Sequence, residues 1–167
     1  MHRDNRGRFL EFYKQESFHK PGISYHFTQE NISFSRKGVI RGRHFRLPPW
    51  RQAKLVSVLS GKVMDLVVDL RKISSTFGKS HTCILDAERH NLLMIPECFA
   101  HGFASLKDSL FLYKSSNIYN RDVESGIVWN EPYLNIQWPF TNPVLSEKDQ
   151  KLTTFNELLR KSVISQG

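Results

Sequence analysis

The stretch AKLVSVLSGKVMDLVVDLR, Ala53 to Arg71, constrains the fold more than any other part of this chain. It alternates or runs apolar through Leu55–Leu59, breaks at Ser60-Gly61 and resumes through Val63–Leu70. Two β-rich runs around a Gly-containing turn predict a β-hairpin. HTCILDA, NLLMIP, HGFASL and SLFLYKSS add further short runs at spacings of roughly ten residues, the rhythm of a sandwich or barrel. A helical pattern is clear only near the end, in SEKDQKLTTFNELLRKS, where the Ser146-x-x-Asp149 spacing suits the cap of a helical turn. No repeat, linker or low-complexity segment interrupts the chain. The expected fold is all-β: one antiparallel β-barrel or jelly roll with short C-terminal helices.

At 167 residues, the chain reads as a single domain, residues 1–167, able to bury roughly 68–70% of its unfolded surface without staples. The N-terminus, MHRDNRGRF, has no apolar signal core, and no stretch approaches the roughly 20 apolar residues of a membrane helix. Two cysteines, Cys83 and Cys98, lack CxxC spacing and fit a reducing cytoplasm. The formal charge of +8 is spread along the chain without a run of five or more like charges, which argues against a disordered nucleic-acid arm. A nucleic-acid-binding barrel calls for exposed aromatics interleaved with basic residues, whereas the aromatics here lie mostly in apolar strand patterns. Neither nucleic acid nor membrane is an expected partner. The charge suits both a soluble basic surface and a concentrated anion site.

GVIRGRHFR, Gly38 to Arg46, places Arg41, Arg43 and His44 directly after an apolar run, as if a strand ended on a cationic turn. Solvated surface, a nucleic-acid patch, a metal site and an anion site with a base are the alternatives. Metal is disfavoured, because position 46 is Arg rather than a second imidazole and Arg41, Arg43 and Lys54 repel a dication. No metal is expected. Lys54 enters a strand; it is either a snorkelling surface residue or a buried ammonium suited to an enolate oxygen. His101, in IPECFAHGF, reads alone as a satisfied core histidine. Tyr113 reads alone as a strand aromatic, and Asp149 as a cap or surface carboxylate.

Together these segments carry more. GVIRGRHF, AKLVSVLSGKVMDLVVDLR, TFGK, IPECFAHGF, LYKSSNIY, GIVWNEPYLNIQWP and LSEKD stand in the order, and near the spacings, of one enzyme family. From Arg6 to Asp149 the chain resembles dTDP-4-dehydrorhamnose 3,5-epimerases, cofactor-free and usually dimeric enzymes of the cupin superfamily. RGRFLE, Arg6 to Glu11, and QEN, Gln29 to Asn31, fit that family's nucleotide-sugar contact segments.

The resemblance implies a cupin-type jelly roll and an epimerase of a nucleotide-linked 4-keto-6-deoxyhexose, inverting C3, C5 or both, without a cofactor. It implies His44 as the general base, Asp149 as its partner, Lys54 facing the enolate oxygen, and Tyr113 as the acid on the other face of the ring. Arg6, Phe9, Glu11, Gln29, Asn31 and Arg41 would hold the nucleotide diphosphate or sugar, some of them in the partner subunit of a homodimer. His101 would line the sugar pocket. A role in rhamnose and polysaccharide biosynthesis is implied on the same ground.

Arg43, Arg46, Cys98 and Ile118 depart from residues common in that family: apolar, Gln, Gly and Tyr, respectively. Relatives also carry roughly twenty further N-terminal residues, enough for a first strand, ahead of the Arg6 segment. Either this version lacks that strand or its start codon is misplaced; without the strand an uncovered sheet edge is expected unless another segment pairs with it. The rival readings are a single-carbon epimerase acting on a different nucleotide sugar and a catalytically silent sugar-nucleotide-binding protein.

Overall fold

A computed structural model of the protein describes residues 1–19, 23–118 and 123–161. In chain order the elements are β1 (His2–Asp4), β2 (Gly7–Phe9), α1 (Gln15–His19), β3 (Gln29–Ser35), β4 (Ile40–Arg46), β5 (Lys54–Ser60) and β6 (Lys62–Asp69). They continue with β7 (Ser80–Asp86), β8 (Leu92–Ile95), β9 (Phe99–Ser105), β10 (Ser109–Ser115) and β11 (Glu124–Gly126). A 3-10 turn (Pro132–Leu134), α2 (Glu147–Gln150) and α3 (Phe155–Arg160) close the described chain. No helix among the described residues is long and apolar enough to cross a membrane.

Two antiparallel sheets face each other, one ordered β3-β10-β5-β8 and the other β11-β4-β9-β6-β7. Val56 and Val58 of β5 and Phe111 of β10 meet Val63 and Val67 of β6, Leu85 of β7 and Phe103 of β9 between the sheets. A second cluster joins Phe45, Leu66, Val68 and Ala100 of the five-stranded sheet to Ile127, Leu134, Phe155 and Leu158 of the C-terminal segment. Strand β6 therefore buries both faces, which accounts for its nearly continuous apolar run. The expected all-β jelly roll with short C-terminal helices is the observed architecture.

The predicted hairpin over Leu55–Leu70 does not form. β5 pairs with β10 and β8, while β6 pairs with β7 and β9, so the two runs belong to opposite sheets. Each is an interior strand that satisfies both backbone edges elsewhere, and Gly61 turns the chain from one sheet to the other. Its φ of +85° favours glycine, and a Cβ there would lie 2.1 Å from the Asp108 carbonyl oxygen. GVIRGRHFR also differs from the expectation: Arg41, Arg43 and His44 lie within β4, not on a turn after it. A register shift between Gly42 and His44 interrupts the pairing of β4 with β9.

The helical tail follows its sequence signals. The Ser146 hydroxyl accepts from the Asp149 N–H and starts α2, and Thr154 with Glu157 forms a reciprocal capping box on α3. At the other end, β1 and β2 pair only with each other as an exposed hairpin.

Candidate active site

A cavity of about 260 Å³ opens between the sheets. Strand alternation dictates its lining. On β4, His44 and Arg46 line the cavity, and Phe45 between them also packs into the C-terminal cluster. On β10 and β5, Phe111 and Tyr113, and Lys54, turn inward. β3 is inverted in polarity: Gln29, Asn31 and Ser33 face the cavity, while Ile32 and Phe34 are exposed. A strand with polar residues inside gives no apolar signal, which is why sequence patterning passed over it.

His44 and Asp149 are 105 positions apart in sequence, yet the His44 Nε2 lies 2.7 Å from the Asp149 Oδ1. Asp149 is buried rather than a surface carboxylate; its second oxygen accepts from the Gly42 N–H at 3.3 Å. Burial opposes ionisation of Asp149. The His44 ring, the Gly42 N–H and the Ser146 hydroxyl outweigh it and hold the carboxyl below its usual range. One imidazole nitrogen is thus held by a carboxylate, which leaves the other with the lone pair of a base. Gly42 makes this approach possible, since a Cβ there would lie 2.9 Å from the His44 Nδ1.

Lys54 opens β5 and lines the cavity, keeping some solvent contact through it. Burial pushes its ammonium down to about 8, with Arg46 acting in the same direction and Glu124 and Asp65 against it. Lys54 is half-buried on the cavity wall, between the two readings of the sequence. His101 satisfies both readings: its Nε2 is 2.9 Å from the Asp65 Oδ2 and its ring stacks on Phe111, yet it also lines the cavity. Tyr113, on β10, reaches the cavity from the sheet opposite β4.

Gln29, Asn31 and Arg41 line the same cavity. Gln29 donates to Asn31 at 2.9 Å, and Arg41 is braced by the Ser35 hydroxyl at 2.8 Å and the Phe34 carbonyl at 3.0 Å. Arg6, Phe9 and Glu11 are not brought there within this chain. Arg6 pairs with Asp4 in the exposed N-terminal hairpin and Phe9 is 70% exposed.

Sequence reasoning missed Glu124 and Asp65. Glu124, on the three-residue β11, stands 3.7 Å from the His44 Nδ1 and pairs with Lys148. Burial would raise its carboxyl, but Lys148, His44 and Arg46 hold it low. Nothing local in the sequence marks it. Asp65 did carry a signal: a carboxylate in the middle of a buried apolar strand calls for a partner. Among the described residues, no group of three His, Cys, Asp or Glu side chains is arranged to hold a metal ion.

A proton can leave a ligand toward one wall of this jelly roll and return from the other, with an ammonium to bear charge in between; that is the equipment of an acid–base isomerase. Its fold is that of the cupin-type epimerases. The chain belongs to the dTDP-4-dehydrorhamnose 3,5-epimerase family, whose pattern matches residues 1–157. It is 47% identical over 148 residues to dTDP-4-dehydrorhamnose 3,5-epimerase of Shigella flexneri, covering 87% of this chain and 82% of that protein. The Bacillus anthracis epimerase, crystallised with TDP and PPi bound, is 42% identical with a TM-score of 0.89, over 91% of this chain and 88% of that one. An epimerase from Legionella pneumophila in complex with dTDP-4-keto-L-rhamnose superposes with a TM-score of 0.92 at 38% identity, over 98% and 88% of the two chains.

Proposed function

We propose that this protein inverts both C3 and C5 of dTDP-4-dehydro-6-deoxyglucose to give dTDP-4-dehydrorhamnose. The observation that carries the reading is the His44–Asp149 pair on one wall of the cavity with Tyr113 on the other. His44 takes the proton next to the 4-keto group, and the C–H electron pair passes into the enolate, whose oxygen faces the Lys54 ammonium. Tyr113 then delivers a proton to the opposite face, and the carbonyl re-forms with inverted configuration. Asp149 fixes the tautomer of His44 and supports the imidazolium. No electrons are gained or lost overall, so the chemistry calls for no redox partner.

Arg41, Gln29 and Asn31 hold the nucleotide-sugar, with His101 lining the sugar end. The guanidinium of Arg41 suits a diphosphate oxygen. Arg6, Phe9 and Glu11 are exposed and away from this chain's own cavity, and we assign them to the site of a second copy in a homodimer. The chain acts as one domain. A cytoplasmic setting is supported by its two free cysteines.

The test is incubation with dTDP-4-dehydro-6-deoxyglucose in D2O, reading deuterium and configuration at C3 and C5. Deuterium at both carbons with inversion is the expected result. Exchange at one carbon alone makes the protein a single-carbon epimerase, and binding without exchange makes it a silent sugar-nucleotide-binding protein; either overturns the reading.

A further inference from the structure

Arg46, like Glu124 and Lys148, is a charged cavity residue with no part in the mechanism so far. Strand alternation puts it on the inward face of β4, two residues beyond His44, and its cross-strand partner is Glu124. Its Nη1 donates to the Ile118 carbonyl at 2.9 Å, and nearby Gln52, also in the lining, donates to the Asn117 carbonyl at 2.5 Å. The guanidinium is therefore anchored at the edge of the cavity that holds Lys54. We propose that Arg46 is a positioning residue that acts through Lys54: a second cation in the cavity of the ammonium that, added to the effect of burial, lowers the alkaline limit of epimerisation.

The surroundings of Lys54 support this. Glu124 of β11 and Asp65 of β6 favour its charge and Arg46 of β4 opposes it. His44 of β4, His101 of β9 and Tyr113 of β10 line the same cavity. β8, paired with β5 at Ile95, is Leu-Leu-Met-Ile and contributes no charge. Arg46 is thus the neighbour whose charge works against the ammonium, and it also draws on Glu124, the carboxylate that would otherwise favour Lys54. The Arg46 guanidinium acts on Lys54 as a neighbouring positive charge. Removing it lets Lys54 hold its proton to higher pH.

The inference rests on the epimerase reading, and the experiment separates the two. The dependence of kcat/KM on pH is measured with dTDP-4-dehydro-6-deoxyglucose for the parent, Arg46→Gln and Arg46→Lys. In parallel, the ionisation of Lys54 is followed without substrate by NMR of ¹³Cε-labelled lysine, its signal assigned by its absence in Lys54→Met. In Arg46→Gln the alkaline limb and the NMR titration move up together, by roughly one pH unit for the loss of one neighbouring charge. Arg46→Lys, which keeps the charge, stays close to the parent. An unmoved limb and titration in Arg46→Gln overturn the inference, as does an equal shift in Arg46→Lys, which would mean that the bond to Ile118 and not the charge matters. A parent without turnover defeats the epimerase reading instead, while the NMR titration still decides what Arg46 does to Lys54.

Discussion

His44 and Tyr113 reach one cavity from different sheets, so their removal has different consequences. With His44 as the proposed base, His44→Asn should lower both hydrogen exchange and inversion by roughly 10²–10⁴-fold, because the enolate forms that much more slowly. Asp149→Asn should lower turnover by less, since the proposal gives Asp149 only the part of orienting and supporting the base. With Tyr113 as the proposed acid, Tyr113→Phe should still let the enolate form, so that deuterium enters from solvent with configuration largely retained while inversion falls steeply. Epimerisation of both carbons by Tyr113→Phe at the parent rate would assign the acid to another group. Arg43 behaves otherwise. It sits between Gly42 and His44 but is fully buried, and among the described residues none of its three guanidinium nitrogens has a hydrogen-bond partner. Burial pushes it down to about 10, with Glu131 pulling the other way. Glu131 is itself satisfied by the Tyr133 and Phe155 N–H groups at 3.2 and 2.7 Å. Arg43→Met should therefore leave stability unchanged or raise it by about 1 kcal/mol or more, as apolar replacements of buried charges often do. A fall of more than about 1 kcal/mol in urea denaturation would show that the guanidinium stabilises the fold.

Among the elements, the passage from β5 to β6 is the most exacting. Gly61 carries the chain from the four-stranded to the five-stranded sheet with a positive φ, against the backbone of Asp108 and Ser109. Both penalties, the left-handed conformation and a collision with main-chain atoms that cannot swing aside, fall on any side chain there. Gly61→Ala is expected to cost about 3 kcal/mol or more, read as a lowered urea midpoint, while Gly78→Ala, whose Cβ meets no atom closer than 3.5 Å, costs less. Equal midpoints for the two would mean that the corner yields. The same corner explains why pattern alone suggested a hairpin. Alternation and a Gly-containing turn are common to a hairpin and to a sheet-to-sheet corner, and only the partners of each run distinguish them.

For the whole molecule, acid should loosen what the sheets enclose. Burial opposes ionisation of Asp69, but hydrogen bonds from Arg71, Thr76 and Ser74 outweigh it and hold the carboxyl well below its usual range. Asp149 and Glu124 are depressed as well. A carboxylate lowered on folding stabilises the native state above the unfolded value of about 4 and loses that contribution as pH falls through the folded one. Urea stability should therefore drop between pH 5 and pH 3, and the deficit of Asp69→Asn should shrink over the same range. A parent equally stable at both pH values would refute this. Assembly is the second expectation at this scale. With Arg6, Phe9 and Glu11 exposed away from their own cavity, the active form should be a two-fold dimer in which each copy completes its neighbour's site. Sedimentation alongside kinetics checks it, and a fully active monomer would remove those three residues from the site.

The sequence by itself determined the all-β class and the capped helical tail, and its motifs, through their resemblance to the epimerases, nominated the site residues. Strand alternation, cap chemistry and the pairing of a base with a cation are local or compositional signals. Lys54 was legible as a candidate for burial because a lysine opening an apolar strand has few places to put its ammonium. Only the tertiary structure decided that β5 and β6 part company, because the strands paired with each lie tens of residues away. It gave the contact of Asp149 with His44 that the resemblance implied, and it decided that Glu124 stands at the ring's other nitrogen and that Asp65 holds His101. Those partners come from separate strands and a helix, and their meeting depends on sheet order and register, which no short window of sequence contains.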